Sequence, residues 1–269
     1  MRVPFSIARW SLATALAAVL TCSDTPRAEA FTIPTSVLFA RDGEQANRAP
    51  GLACIQEALG GVRAFANVSS LRFFGETKPA VSAGPRSLPG TREIRVVFPD
   101  SYKRIDLGQV PGVAGATLGS TIGFDHSLML SAPRSPDLAQ SMRSARLDFA
   151  RQMWPRFPRS AAGVTVSPRV IREGSRERVA LDLAGSDGFQ ATLLADAVSC
   201  VPMALEYSTT TQRPSTMTRV DLSEYREFGG IRFPTVLATS TDGHATVVEH
   251  VSRIELNAPD SRQYFAAGR

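Results

Sequence analysis

The chain has 269 residues and a formal net charge of +5, with 43% hydrophobic and 20% charged residues, a length that one all-β or α+β domain fits. Its mild basicity is carried almost wholly by arginine, since Lys78 and Lys103 are the only lysines. No basic run is interleaved with aromatic residues, which argues against a nucleic-acid surface.

In chain order, Arg2 and Arg9 form a basic lead, Trp10 to Leu20 is apolar, and Ala28-Glu29-Ala30 is a small-x-small cleavage site before Phe31. This pattern predicts a secretory signal over 1–30, a single domain over 31–269, and a periplasmic or secreted product. The apolar lead is too short to cross a bilayer, which takes about 20 residues, and no later stretch approaches that length, so the protein is not expected to be integral to a membrane. A lipid anchor at Cys22 is the rival reading. Thr21 stands there where a lipoprotein box expects Gly, Ala or Ser, which favours cleavage at Ala30. Export leaves Cys54 and Cys200 as an even pair in an oxidising compartment; one disulfide and two buried free thiols both remain open.

Pro50 opens a short helical pattern, with Leu52, Ile55, Ala58 and Leu59 on one face and Gly60-Gly61 ending it. A second turn over Val62 to Asn67 leads into a strand over Ser70 to Lys78, and a Pro/Gly/Ser-rich loop follows. From Arg92 to Phe98 the pattern alternates, with Ile94, Val96 and Phe98 on one face and Glu93 and Arg95 on the other. Pro99-Asp100 turns the chain into a strand over Tyr102 to Leu107. Gly115, Gly119 and Gly123 are spaced like a membrane-helix dimer motif, but Pro111, Asp125 and the β-branched residues between them point to a hairpin. Ser135-Pro136-Asp137 predicts a helix with Ser135 as its cap, and Pro155 is expected to stop it. Leu138, Met142, Ala145, Phe149 and Met153 line one face of that helix; they pack on a sheet, and they also suit a lid, methionine being an adaptable apolar surface. From Gly163 onward the pattern is a strand meander that includes the alternation Val179, Leu181, Leu183.

Several blocks together resemble the outer-membrane lipoprotein-sorting (LolA/LolB-like) superfamily. They are the helix with its double glycine, the Pro-Asp hairpin, the central helix, the run from Asp196 through Pro202 to Tyr207, the block Tyr225-Arg226 to Gly229-Gly230-Ile231-Arg232-Phe233-Pro234, and the closing Asn257-Ala258-Pro259 step. The chain departs from that pattern after Phe124-Asp125, where relatives carry Gly and often Trp and this sequence has His126-Ser127. The resemblance implies a mainly β (α+β) fold: an unclosed, strongly curved antiparallel β-barrel with helices covering its concave side. It implies a monomeric, non-catalytic carrier or binder of lipid acyl chains or lipoproteins, with no cofactor. Alternation alone nominates Ile94, Val96, Phe98, Val179, Leu181 and Leu183 as the cavity lining, and the stripe Leu138, Met142, Phe149, Met153 as the lid; a filled core under the same residues is the alternative.

Two other functions remain: an envelope sensor that binds a protein partner on the same fold, and a hydrolase with a dispersed site. No HExxH or GxSxG frame occurs, and two isolated cysteines lack metal-ligand spacing, so no metal is expected. Asp125-His126 and Glu249-His250 are neighbours whose side chains should point to opposite faces of a strand, which makes them poor coupled pairs.

Overall fold

The computed structural model describes residues 51–80, 89–109, 117–130, 137–159, 163–174, 176–208, 215–259 and 261–266. The signal segment, its cleavage site, Cys22, Ser135 and Pro136 lie outside these residues. The first described elements are α1 (Leu52–Ala58) and α2 (Val62–Ala66), separated at Gly60-Gly61. Gly60, at φ 135°, is required on two counts: the backbone is left-handed, and a Cβ there would stand 2.2 Å from the Gly230 carbonyl oxygen. That close approach lets Arg232 N–H donate to Leu59 O at 2.7 Å, docking the helical corner on a sheet turn.

The strands are β1 (Ser70–Pro79), β2 (Gly90–Val97), β3 (Ser101–Gln109), β4 (Thr117–Asp125) and β5 (Leu128–Met129), then β6 (Val164–Glu173), β7 (Arg176–Gly185), β8 (Gln190–Asp196), β9 (Pro202–Ser208), β10 (Met217–Phe228), β11 (Ile231–Thr241) and β12 (His244–Leu256). They form one 12-stranded antiparallel sheet in the order β5-β4-β3-β2-β1-β12-β11-β10-β9-β8-β7-β6. The sheet is not closed, since β5 and β6 stand at its two ends; alternation and tight turns predict one curved antiparallel sheet, and the family resemblance implies the open barrel. Tyr225 Oη donates to Pro202 O at 2.8 Å, so two residues of the family-like blocks bind each other across β9 and β10. Asn257, at φ 53°, accepts from Ser69 N at 2.7 Å and ties the end of β12 to the start of β1.

The long helix α3 (Leu138–Arg156) has Asp137 as its N-cap, two residues after the expected Ser135, and Asp137 accepts from Ala139 N at 2.9 Å and Gln140 N at 3.1 Å. Pro155 lies within the last turn and the helix stops one residue after it. A short α4 (Gln263–Ala266) follows, with Phe265 buried. Among the described residues no helix is long and apolar enough to cross a membrane.

Curvature follows from what α3 touches. Asp148 and Arg151 are three residues apart on one helix face, hence about 5–6 Å from each other. Asp148 pairs with Arg104 on β3, whereas Arg151 donates to Ser208 O on β9 at 3.3 Å. Those strands are six spacings apart in the sheet order, roughly 29 Å if the sheet were flat. The sheet therefore wraps until β3 and β9 face each other across α3, and the inner face is concave.

Candidate functional site: the concave face under the long helix

Register decides which side chains share this face. Ile94 pairs with Phe73 and Arg104, Val96 with Leu71 and Tyr102, and Arg92 with Gly75 and Asp106. Along β2 and β3 the inner residues run from apolar to charged, so this part of the concave face has two chemically different ends.

The apolar end is a packed cluster. Phe157, just past α3, stacks on Phe65 of α2 at 4.4 Å and lies 6.1 Å from Phe233 of β11, while Phe73 meets Phe233 edge-on at 5.8 Å. Ile94, Val96, Val179, Leu181 and Leu183 are all buried in one contiguous apolar cluster with these rings. Alternation thus placed them together on the inner face, where they contact other side chains. Phe98 is half-buried; it packs on Phe157 and lines a cavity of about 250 Å³ with Pro99, Asp100, Asp125, His126 and Phe265 at one end of the sheet. Cys54 of α1 and Cys200, between β8 and β9, are joined as a disulfide that holds the helical corner over this end.

Of the proposed lid residues, Met153 is buried and Met142 and Phe149 are half-buried against the cluster, with Phe149 edge-on to Tyr102 and Phe124. Leu138 is 58% exposed and does not join them, because it occupies the first turn of α3. The stripe therefore covers the sheet from Met142 onward.

Of the charged end the sequence reading names only Glu249, as a strand neighbour of His250 and not as part of a network. Glu249 of β12 accepts from Arg156 of α3 at 2.6 Å and from Arg92 of β2 at 2.7 Å. Arg92 also pairs with Asp106 at 2.7 Å; Arg104 lies 3.1 Å from Asp106 and bonds Asp148 of α3, which accepts from Tyr102 Oη at 2.6 Å. Arg92 and Glu249 lie on strands separated by β1, and they meet because Gly75 of β1, opposite Arg92 on one side and Val251 on the other, has no side chain. A Cβ at Gly75 would lie 3.4 Å from Glu249 Cγ. Arg156 and Glu249 side chains are each only 3% exposed. Burial alone would raise the Glu249 carboxyl, but Arg156 and Arg92 outweigh it and hold it below the ordinary carboxylate range. Burial likewise opposes the charge on Arg92, yet Glu249 and Asp106 keep its pKa raised, while burial and Asp148 push the Tyr102 phenol well above its usual value. The signal that could have found this network was available: Arg92 is two residues before Ile94, and Arg104 and Asp106 are two and four after Tyr102, in the same alternating frame.

The histidine reading needs one correction. His126 lies in a turn at φ 55°, not in a strand, so alternation does not apply to it. Its Nδ1 is 2.7 Å from Asp100 and its Nε2 is 3.8 Å from Asp125, placing the ring between two carboxylates. Ser101 Oγ donates to the same Asp125 oxygen at 2.7 Å. A nucleophilic serine needs its base as the acceptor, and this hydroxyl is committed to a carboxylate. Glu249 and His250 do take opposite faces, Glu249 buried and His250 exposed.

No family model matches the chain, and no curated protein matches it. Solved structures do. A domain described as outer membrane lipoprotein-sorting, from Vibrio parahaemolyticus, is 10% identical with a TM-score of 0.46, over 81% of this chain and 98% of that one. A LolA superfamily protein from Nitrosomonas europaea is 12% identical with a TM-score of 0.45, over 78% and 95%. A DUF1329 family protein from Desulfovibrio piger is 9% identical with a TM-score of 0.46, over 82% of this chain and all of that one.

Proposed function

We propose that the protein is a non-catalytic binder or carrier of lipid acyl chains, exported to the periplasm by the segment ending near Ala30. The observation that supports this most directly is the open sheet itself: a concave inner face with an apolar end, covered by the α1–α2 corner and by α3, whose covering residues are Met142, Phe149 and Met153. An open barrel with a helical roof can exchange its roof contacts for an alkyl chain without exposing unpaired backbone, because the strands stay paired throughout. Bound chain would replace the methionine and phenylalanine contacts on the inner face.

Native mass spectrometry with lipid extraction, on protein purified from the periplasm with its own N-terminal segment, tests the reading. Acyl adducts lost on denaturation, on a chain beginning at Phe31, are the expected result. Protein that never carries lipid and fails to take up an added alkyl probe would remove the carrier reading and favour a protein-binding sensor on the same fold.

A further inference from the structure

The charged end of the concave face holds more positive than negative groups. Arg92, Arg104, Arg151 and Arg156 gather there, against Asp106, Asp148 and Glu249. These belong to one neighbourhood: Tyr207 on β9 feels Arg151, Asp148, Arg104 and Arg156 together, and the Arg151 guanidinium lies 4.9 Å over its ring.

Donors also outnumber acceptors. The Nε atoms of Arg151 and Arg156 are buried and have no hydrogen-bond partner among the described residues, and Arg104 Nε sits near Asp106 without hydrogen-bond alignment. The three carboxylates are already occupied: Glu249 by two guanidiniums, Asp106 by two, and Asp148 by Arg104 and Tyr102. Leaving guanidinium N–H groups buried without acceptors is costly, and what balances both their charge and their geometry is an oxygen anion. A hydroxyl or amide offers the geometry without the charge, and an ammonium offers neither.

Resting on the proposed acyl-chain function, we propose that the ligand is an anionic amphiphile, a carboxylate or phosphate on an alkyl chain, whose head is received by Arg151 and Arg156 beneath α3 while its chain runs toward the apolar end. Arg151 is the member to probe. It is half-buried, its one hydrogen bond among the described residues is to a backbone carbonyl, and it forms no ion pair with the three carboxylates, so replacing it leaves the other pairs intact.

The experiment is calorimetric titration of the whole exported chain with dodecanoate, dodecyl phosphate, 1-dodecanol and dodecyltrimethylammonium, each below its micellar concentration, and with acetate and inorganic phosphate as chainless anions. Dodecanoate or dodecyl phosphate should bind at least about tenfold tighter than dodecanol, as expected for charge-assisted hydrogen bonds, and their ratio identifies which head is preferred. In Arg151→Met the anion-to-alcohol ratio should collapse toward one, and in Arg151→Lys it should be partly kept; thermal melts confirm that both variants fold. Equal binding of the four alkyl probes overturns the anionic-head inference and leaves the acyl-chain reading standing. Binding of acetate or phosphate as tight as that of the alkyl anions also overturns it, since the site would then be a plain anion site. If no alkyl probe binds, the acyl-chain reading falls and this inference falls with it.

Discussion

The two ends of the concave face are built on the same strands yet held by opposite physics. At the apolar end, Phe65, Phe73, Phe157 and Phe233 pack ring to ring with the aliphatic residues of β2 and β7, and each buried side chain contributes roughly 1.5–3 kcal/mol through removal from water. At the charged end, guanidiniums and carboxylates are buried at a desolvation cost that only their mutual pairing offsets. The apolar end tolerates change in proportion to volume lost. The charged end tolerates change only if charge stays balanced. One region supplies adhesion without direction; the other fixes where α3 sits.

Two substitutions set the ends against each other with the largest effects. Phe157→Ala should cost about 3–5 kcal/mol by emptying the stacked cluster. Glu249→Gln should cost about 3–5 kcal/mol by leaving Arg92 and Arg156 buried without a countercharge. Denaturant melts near neutral pH would show them as equals, and a loss under about 1 kcal/mol in either would show that its end is not packed as described.

Acid separates them. Glu249 is held below its ordinary value near 4.5, so its contribution is present above that pH and is lost as pH falls through the depressed folded value. The deficit of Glu249→Gln should therefore shrink on acidification below about pH 4.5, while the cavity deficit of Phe157→Ala has no such dependence. Parallel pH profiles for the two variants would contradict the assignment of Glu249 as the buried anion.

A smaller effect isolates the crossing over β1. Gly75→Val should cost about 1–3 kcal/mol, because added atoms press on Glu249 Cγ and the strand backbone where Arg92 and Glu249 meet. The smallest belongs to Asp182→Asn, which breaks a half-exposed pair with Arg169 on β6 and should cost under about 1 kcal/mol. An Asp182→Asn loss matching that of Glu249→Gln would dissolve the distinction between buried and surface ion pairs on this sheet.

How far the sequence reached depends on whether a signal was local. Period-two alternation put Ile94 and Val96, and likewise Val179, Leu181 and Leu183, on one face, and Gly229-Gly230 marked the β10–β11 turn at φ 58° and 81°. Those features depend on neighbours within a few residues. The same alternation extends to Arg92, Arg104 and Asp106, but period two gives only the face that a side chain takes and not the partner it meets there. His126 departs from alternation because it sits in a turn at φ 55°.

Sequence by itself determined the strand-rich character, the places where the chain turns, the apolar side of most strands, and the amphipathic stripe of α3, since propensity and periodicity act over short range. Only the tertiary structure decided that Arg156, Glu249 and Arg92 would meet across a strand reduced to glycine at position 75, or that Asp148 and Arg151 would reach strands at opposite sides of the sheet. The two Glu249 contacts join residues 93 and 157 positions apart in the chain. Their pairing depends on how far the sheet curls, which is a sum of twist over many strands and leaves no trace in any one of them.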